Sequence, residues 1–468
     1  MVMGQPGIFE EESDKMHLVM IGGSDAGISA ALRARELDRT AEITLVVGDA
    51  FPNFSICGLP FYLSGEISDW RTLAHRTHEE IESHGIRVLL NTWAESIDPG
   101  AHRMTVRAPD GRHQEIAYDR LVVATGAVPV RPSLPGLDDP RVFLLHSMED
   151  SFRLHAFLEK STPQSAVIVG AGYIGLEMAD ALTHRGIRVT LIEQADHVLP
   201  TVDPDFGAQL DEYLQSHGVT VMTGSRVRGL ERTVQGVHVV GEPDWQITAD
   251  LVLVVVGVAP DTDLAARAGI FTGIRGAIRV DRQMRTNLPD IWAAGDCVET
   301  YHRLLDTNTY LPLGTTAHKQ GRVAGENMIG GNRVYEGSLG TQVVKVFDWA
   351  IGRTGLKASE ARAAGYSPRT TRLTTWDHKV YYPGATPLTV SITGDAETGR
   401  LLGGQLLGHW QGQVAKRLDI LAAALYHQMT VDGLNDLDLS YTPPLSSPWD
   451  PVQMAAQQWI TSLGDQCS

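Results

Sequence analysis

The sequence predicts an α/β chain built from two doubly wound units followed by a smaller α+β domain. Three observations carry that reading. A glycine-rich turn joins a strand to a helix twice, at residues 22–27 and again at 170–175. Each unit also closes on a buried apolar strand, 118–124 and 251–256, that runs towards a glycine. Past about Gly331 the chain turns to short strand-like runs with no further glycine loop. Strand, tight turn, helix, strand is the opening of a Rossmann-like nucleotide-binding unit.

The elements follow in order. Residues 16–21 form an apolar strand, Gly22-Gly23-Ser24-Asp25-Ala26-Gly27 the turn, and a helical pattern runs through Leu37 before the strand 42–47. The strand 118–124 ends in Thr125-Gly126-Ala127. The second unit has a strand at 166–169, the turn Gly170-Ala171-Gly172-Tyr173-Ile174-Gly175, a helix over 176–185 and a strand at 188–192. Its apolar run 251–256 leads into Gly257-Val258-Ala259-Pro260. A strand ending in Ala294-Gly295-Asp296 and a helix over 315–328, which includes Thr316 and Ala317, then return to the plan of the first unit. The expected division is 1–147 with 277–333, then 148–276, then 334–468, the last with helical patterns at 358–364 and 414–428.

At 468 residues the chain is too long for one core. Its 43% hydrophobic content fits an ordinary globular protein. A formal net charge of −17, with no basic run along the chain, argues against nucleic acid as a partner, because phosphates are repelled. The longest apolar stretch, 251–259, is short of the roughly 20 residues that cross a bilayer, so no membrane partner is expected. The opening MVMGQPGIFEEESDK lacks the basic start and apolar centre of a signal peptide and reads as a mobile acidic tail. Three widely spaced cysteines give neither a disulfide framework nor a metal site, and the histidines show no ligand pairing; a reducing cytoplasm is the expected location.

The second glycine loop is a full G-x-G-x-x-G, and Glu193 ends the next strand where a ribose-binding acid belongs. Its glycines let backbone approach a pyrophosphate, and the helix N-terminus favours the negative charge. Glu193 repels a 2′-phosphate, so NADH is favoured over NADPH. The first loop has Ser24 in place of the second glycine, and its acid is displaced to Asp49. Alone it fits a structural turn as well as a cofactor loop; Thr125-Gly126 and Asp296 add weight to the latter, Asp296 as an acceptor for ribityl hydroxyls.

Cys57 stands in Phe54-Ser55-Ile56-Cys57-Gly58-Leu59-Pro60. Pro60 suits a first helical turn, so a helix is expected to start just past the thiol. That placement lowers a thiol pKa from about 8.5 towards 7 and favours the nucleophilic thiolate. Two nucleotide loops and one isolated thiol suggest electrons passing between cofactors and then to sulfur. Cys297 reads as packing, and Cys467 as a tail thiol able in principle to exchange with Cys57.

From about Met16 to Met454 the chain resembles the pyridine nucleotide–disulfide oxidoreductases. F-S-I-C-G-L-P is similar to their single-cysteine branch: coenzyme A disulfide reductases, persulfide reductases, NADH oxidases and NADH peroxidases. Residues 340–355 (GTQVVKVFDWAIGRTG), Tyr382-Pro383-Gly384-Ala385-Thr386 and Tyr441-Thr442-Pro443-Pro444 support the placement. The resemblance implies FAD at Gly22, Gly23, Ser24, Ala26, Gly27, Asp49, Thr125, Gly126, Gly295, Asp296, Thr316 and Ala317. It implies NADH or NADPH at Gly170, Gly172, Tyr173, Ile174, Gly175, Glu193 and Gly257. It further implies a C-terminal dimerisation domain, a homodimer, and two tyrosines reaching the partner's site, namely Tyr382 (or its neighbour Tyr381) and Tyr441.

Two departures bear on the acceptor. Oxidases and peroxidases of the branch carry a histidine where this chain has Asp25. Coenzyme A disulfide reductases tend to have paired arginines after the first helix; here Arg33 and Arg35 are joined by Glu36. The leading expectation is an enzyme in which FAD and NAD(P)H serve Cys57 in reducing a small disulfide or persulfide. An NADH oxidase or peroxidase with a Cys57 sulfenic acid, taking oxygen or peroxide with Asp25 as acid or base, is one alternative. A flavin-bound redox sensor is the other.

Overall fold

A computed structural model describes residues 15–464. The acidic opening stretch and Cys467 lie outside the described residues.

The first unit is a five-stranded parallel sheet in the order Ile291–Ala293, Arg120–Val123, His17–Ile21, Glu42–Val46, Ile86–Leu89. Its central strand is buried on both faces, with Leu18, Val19 and Met20 fully inaccessible, which explains the unbroken apolar run. Helices Asp25–Leu37 and Gly314–Asn327 pack against each other backbone to backbone. A Cβ on Gly321 would lie 2.2 Å from the Ala26 carbonyl oxygen, and one on Gly325 2.3 Å from that of Ala30. Those glycines bring a late helix and a late strand back onto the opening unit.

The second parallel sheet runs Thr220–Met222, Arg188–Ile192, Ser165–Val169, Leu251–Val254, Val142–Phe143. Each unit carries a three-stranded antiparallel meander, 93–117 in the first and 226–249 in the second. Two short antiparallel strands, Ala127–Pro129 and Val258–Pro260, stitch the units together beside their glycine loops.

The C-terminal domain is a five-stranded antiparallel sheet backed by helices Val414–Tyr426 and Pro451–Gly464. The second of these helices goes beyond the two patterns expected from the sequence, as does the short Val431–Asn435. Val452, Ala455, Ala456 and Trp459 are its buried stripe at helical spacing, so its signal was present behind the proline-rich 442–451 segment. The helix after the second glycine loop begins at Tyr173, inside the loop motif, rather than at Leu176.

Candidate functional site

Both glycine loops and Cys57 open onto one continuous cleft of about 2510 Å³ that runs between the two parallel sheets. The loops are near copies. In the first, Gly22 has φ +116°, and a Cβ there would lie 2.0 Å from the Ala124 carbonyl oxygen; a Cβ on Gly27 would lie 1.9 Å from that of Gly22. In the second, Gly170 has φ +104° and a Cβ on Gly175 would lie 2.0 Å from the Gly170 carbonyl oxygen. The position that differs in sequence does not differ in shape: Ser24 (φ −97°, ψ −165°) and Gly172 (φ −79°, ψ −166°) both have extended backbone open to any residue. Ser24 therefore puts no backbone strain on the first loop, and both loops present a helix N-terminus to the cleft.

The first loop's surroundings fit a flavin dinucleotide. Asp296 lines the cleft, and its Oδ1 is buried without a hydrogen-bond partner. An orphaned acceptor of this kind is costly unless a ligand hydroxyl meets it. Burial, then the neighbouring Asp25, raises its carboxyl to about 6, against a backbone hydrogen bond at Leu313. Thr125 Oγ1 donates to the Asp261 carbonyl at 2.5 Å and ties the two units at the cleft wall. Gly126 (φ +73°) and Gly257 (φ +104°) turn the chain at the same wall. Asp49 reaches the cleft mouth and accepts from the Phe51 amide at 2.8 Å; burial raises its carboxyl.

The second loop is closed from within. Glu193, 9% exposed, accepts from the amides of Ala171 at 2.8 Å and Ala195 at 2.9 Å. Each carboxylate oxygen keeps a second acceptor site for a ribose hydroxyl. Tyr173 and Ile174 line the cleft, and the Tyr173 hydroxyl accepts from Thr201 Oγ1 at 3.2 Å.

Cys57 sits in a single 3₁₀ turn, Ile56–Gly58, directly ahead of the short helix Leu59–Ser64 that Pro60 opens. Its side chain is exposed to the cleft but enclosed by its walls. The expected thiol acidity is not found. Burial raises the thiol, and the carboxylates Glu177, Asp25 and Asp296 raise it further, opposed by a hydrogen bond from its own backbone amide. The helix that follows it is only six residues long, and the charged groups that act on it are anions, which disfavour a second negative charge.

Glu177 was missed in the sequence. It stands two residues past the last glycine of the second loop, a lone acid in Leu176-Glu177-Met178-Ala179, which is the signal that could have found it. It lines the cleft, and burial followed by the nearby Asp180 raises it to about 7. His318 was missed too; it lines the cleft with Nδ1 2.8 Å from Ser29 Oγ.

Several expected site residues lie elsewhere. Ala26, Gly27, Gly175 and Gly295 stand behind the cleft wall, where they permit close packing. Thr316 and Ala317 are buried in their helix; Leu313, Gly314 and Thr315 form the wall instead. Tyr382 and Tyr441 do not line this chain's cleft. Tyr382 packs edge-on against His378, with ring centroids 5.9 Å apart, whereas Tyr381 is the residue beside Tyr441, whose hydroxyl it raises. Of the two neighbours, Tyr381 is the one that faces Tyr441. Cys297 is fully buried, its thiol donating to backbone carbonyls of Val123 and Ala294, as expected of packing.

Folding also assembles a basic groove that the linear sequence concealed. Lys15, Arg35, Arg39, Arg76 and Arg87 outnumber Glu36 and Glu42 in the lining of a depression of about 930 Å³ that shares Arg76, Ser83 and His84 with the main cleft. Arg33 is not among the lining residues and is neutralised by Glu326 at 2.6 Å and Glu36 at 2.9 Å. Among the described residues no cluster of His, Cys, Asp and Glu could hold a metal ion, and no helix is long and apolar enough to cross a membrane.

Residues 16–321 match the family model described as pyridine nucleotide-disulphide oxidoreductase, and residues 341–451 match its dimerisation domain. The chain is 35% identical over 448 residues to the NAD(P)H sulfur oxidoreductase (CoA-dependent) of Pyrococcus abyssi, across 95% of this chain and 98% of that protein. It is 31% identical to an NADH oxidase of Methanocaldococcus jannaschii, across 96% of this chain and 100% of that protein. A solved structure of an NAD-dependent persulfide reductase from A. fulgidus superposes with a TM-score of 0.92 at 35% identity, covering 96% of this chain and 84% of that one. The chain belongs to the pyridine nucleotide-disulphide oxidoreductase family and is an FAD-dependent, pyridine-nucleotide-linked enzyme.

Proposed function

We propose that this member of the family reduces a low-molecular-weight disulfide or persulfide, of the coenzyme A type, through Cys57, with NADH as the favoured reductant. The observation that carries the reading is the joint placement of Cys57 and both glycine loops on one cleft. FAD would be held by the first loop, Thr125, Gly126 and Asp296, and the nicotinamide nucleotide by the second loop and Glu193. When bound, the flavin supplies a route for two electrons from the nucleotide to sulfur.

The chain's own chemistry starts at the thiol. Cys57 loses its proton, its thiolate attacks one sulfur of the acceptor, a Cys57 mixed disulfide forms, and one thiolate leaves and takes up a proton. Cleaving the mixed disulfide consumes two electrons, releases the second thiol and restores the Cys57 thiolate. Burial first, then Glu177, Asp25 and Asp296, raise the Cys57 thiol, so loss of its proton is opposed before the attack.

The basic groove favours an acceptor with an anionic tail, since it joins the cleft that contains Cys57. The exposed face of the C-terminal domain, with Trp376, Val380, Tyr381, Trp410 and Trp449, supports a homodimer in which Tyr381 and Tyr441 are delivered across the interface to the acceptor. Two nucleotide-binding domains, 1–147 with 277–333 and 148–276, and a dimerisation domain at 334–468 are the division this implies. Free, unpaired Cys57 and Cys297 suit a reducing cytoplasm. The oxidase alternative is favoured by the names of two relatives and two solved structures and opposed by Asp25, which cannot supply the imidazole. The sensor alternative is opposed by the intact second loop.

The test is Cys57→Ser, assayed anaerobically with coenzyme A disulfide, coenzyme A persulfide, glutathione disulfide and peroxide, and in air with oxygen. The flavin should stay bound and be bleached by NADH, while disulfide or persulfide turnover disappears. Undiminished turnover in that variant overturns the reading; oxygen consumption matching the disulfide rate in the unaltered enzyme moves it to the oxidase.

A further inference from the structure

We propose that Arg417 is a positioning residue for acceptor reduction, clamping into one register the two loops that carry Tyr381 and Tyr441. The inference rests on the reading above, in which those tyrosines act on the acceptor.

Arg417 rises from helix Val414–Tyr426 and is 4% exposed. Its guanidinium reaches three segments at once. One Nη donates to the Asp377 carbonyl at 2.7 Å, at the base of the 377–386 loop that bears Tyr381. The other Nη donates to the Gly412 carbonyl at 2.7 Å. Nε donates to the Asp450 carboxylate at 3.1 Å, and Asp450 in turn accepts from Ser446 Oγ at 2.7 Å in the segment that bears Tyr441.

A buried cation needs one carboxylate to answer its charge, and Asp450 does so. The carbonyl contacts go beyond charge balance and use the fixed planar fork that lysine lacks. Asp377 spreads the hold across its loop: its Oδ1 accepts from the His378 amide at 2.9 Å and the Thr386 amide at 2.8 Å, closing the loop at both ends. The Lys379 amide donates to the Pro443 carbonyl at 3.3 Å, where the two loops meet. Above this node Tyr381 is 70% and Tyr441 44% exposed. Their own packing does not fix them, so their spacing is set from beneath.

The test is a double-mutant cycle in the full dimeric holoenzyme, joining Arg417→Lys to the pair Tyr381→Phe/Tyr441→Phe, with coenzyme A disulfide as acceptor. Arg417→Lys should lower kcat for the acceptor about tenfold or more, as small misplacements of reacting groups do. Bleaching of the flavin by NADH should be unchanged. In the double-phenylalanine background the same change should cost nothing further, because its effect passes through the phenols. A loss that persists in that background, or wild-type turnover in Arg417→Lys, overturns the inference. Wild-type turnover in the double-phenylalanine enzyme overturns the reading of the tyrosines beneath it. If Arg417→Lys does not accumulate as a flavin-containing dimer, Ser446→Ala, which releases Asp450 on the Tyr441 side, carries the same cycle with the same outcomes.

Discussion

The carboxylate of Glu193 accepts a hydrogen bond from the amide of Ala171 at 2.8 Å, so the acid proposed to read a ribose also holds the second glycine loop in shape. Hydrogen bonds to a charged group are worth about 1.5–3 kcal/mol each. Glu193→Ala should therefore raise the KM for NADH about tenfold or more and lower the thermal midpoint, because loop closure and ribose contact are lost together. The KM for NADPH should rise less, since a 2′-phosphate no longer meets a carboxylate. Steady-state kinetics with both nucleotides checks this; a selective loss for NADPH would refute it.

Glu177 governs a pH dependence. Its folded-state value is about 7 against an ordinary 4.5, so the folded protein holds this proton more tightly than the unfolded chain does. The unmet cost is absent below about 4.5, grows as pH rises towards 7, and is fully present above it. It is on the order of 3 kcal/mol. Glu177→Gln should thus be more stable than the parent at pH 8 and no more stable at pH 4. Thermal midpoints across that range decide it.

The same substitution should change Cys57. Burial is the main cause of its raised thiol and Glu177 the next; removing that carboxylate lets the thiol ionise more readily. The acid limb of the pH profile for acceptor turnover should move to lower pH in Glu177→Gln. Thiol alkylation rates against pH give an independent reading, and an unmoved profile in both would show that Glu177 does not act on the thiol.

The proposed acceptor-facing pair is Tyr381 with Tyr441, since Tyr381 is the neighbour that raises the Tyr441 hydroxyl. Tyr381→Phe and Tyr441→Phe should each slow acceptor turnover by about a hundredfold, the low end of what a positioned acid or base contributes. Tyr382→Phe, which keeps the ring against His378, should stay near the parent rate. The three kcat values measured side by side settle the assignment.

The basic groove predicts a preference for tailed acceptors. Arg76→Ser with Arg87→Ser should raise the KM for coenzyme A disulfide about tenfold while leaving pantethine, which lacks the nucleotide tail, unaffected. The parent's preference for the tailed acceptor should also shrink as salt rises. Equal KM changes for both acceptors would remove the groove from substrate binding.

Much of this was legible along the chain because it is local. Gly22 and Gly170 announce themselves, since a turn that presses a Cα against a neighbouring strand's carbonyl at positive φ admits only glycine. The strands beside them are readable because a sheet buried on both faces needs continuous apolar runs. Cys57 could be singled out from its immediate neighbours, and the family resemblance rested on the same short segments.

The charges around that thiol could not. Folding buries Cys57 and gathers about it Asp25, Glu177 and Asp296, which are far apart in sequence; burial first, then these charges, reverses the acidity its helix-start position suggested. The groove of Arg35, Arg39, Arg76 and Arg87 arises in the same way on a chain of net charge −17. The sequence alone determined the backbone of the two glycine loops and the buried strands beside them, because sterics act between neighbours. The three-dimensional arrangement decided the electrostatics, because Coulomb interactions depend on distance through space and on burial, and neither is written along the chain.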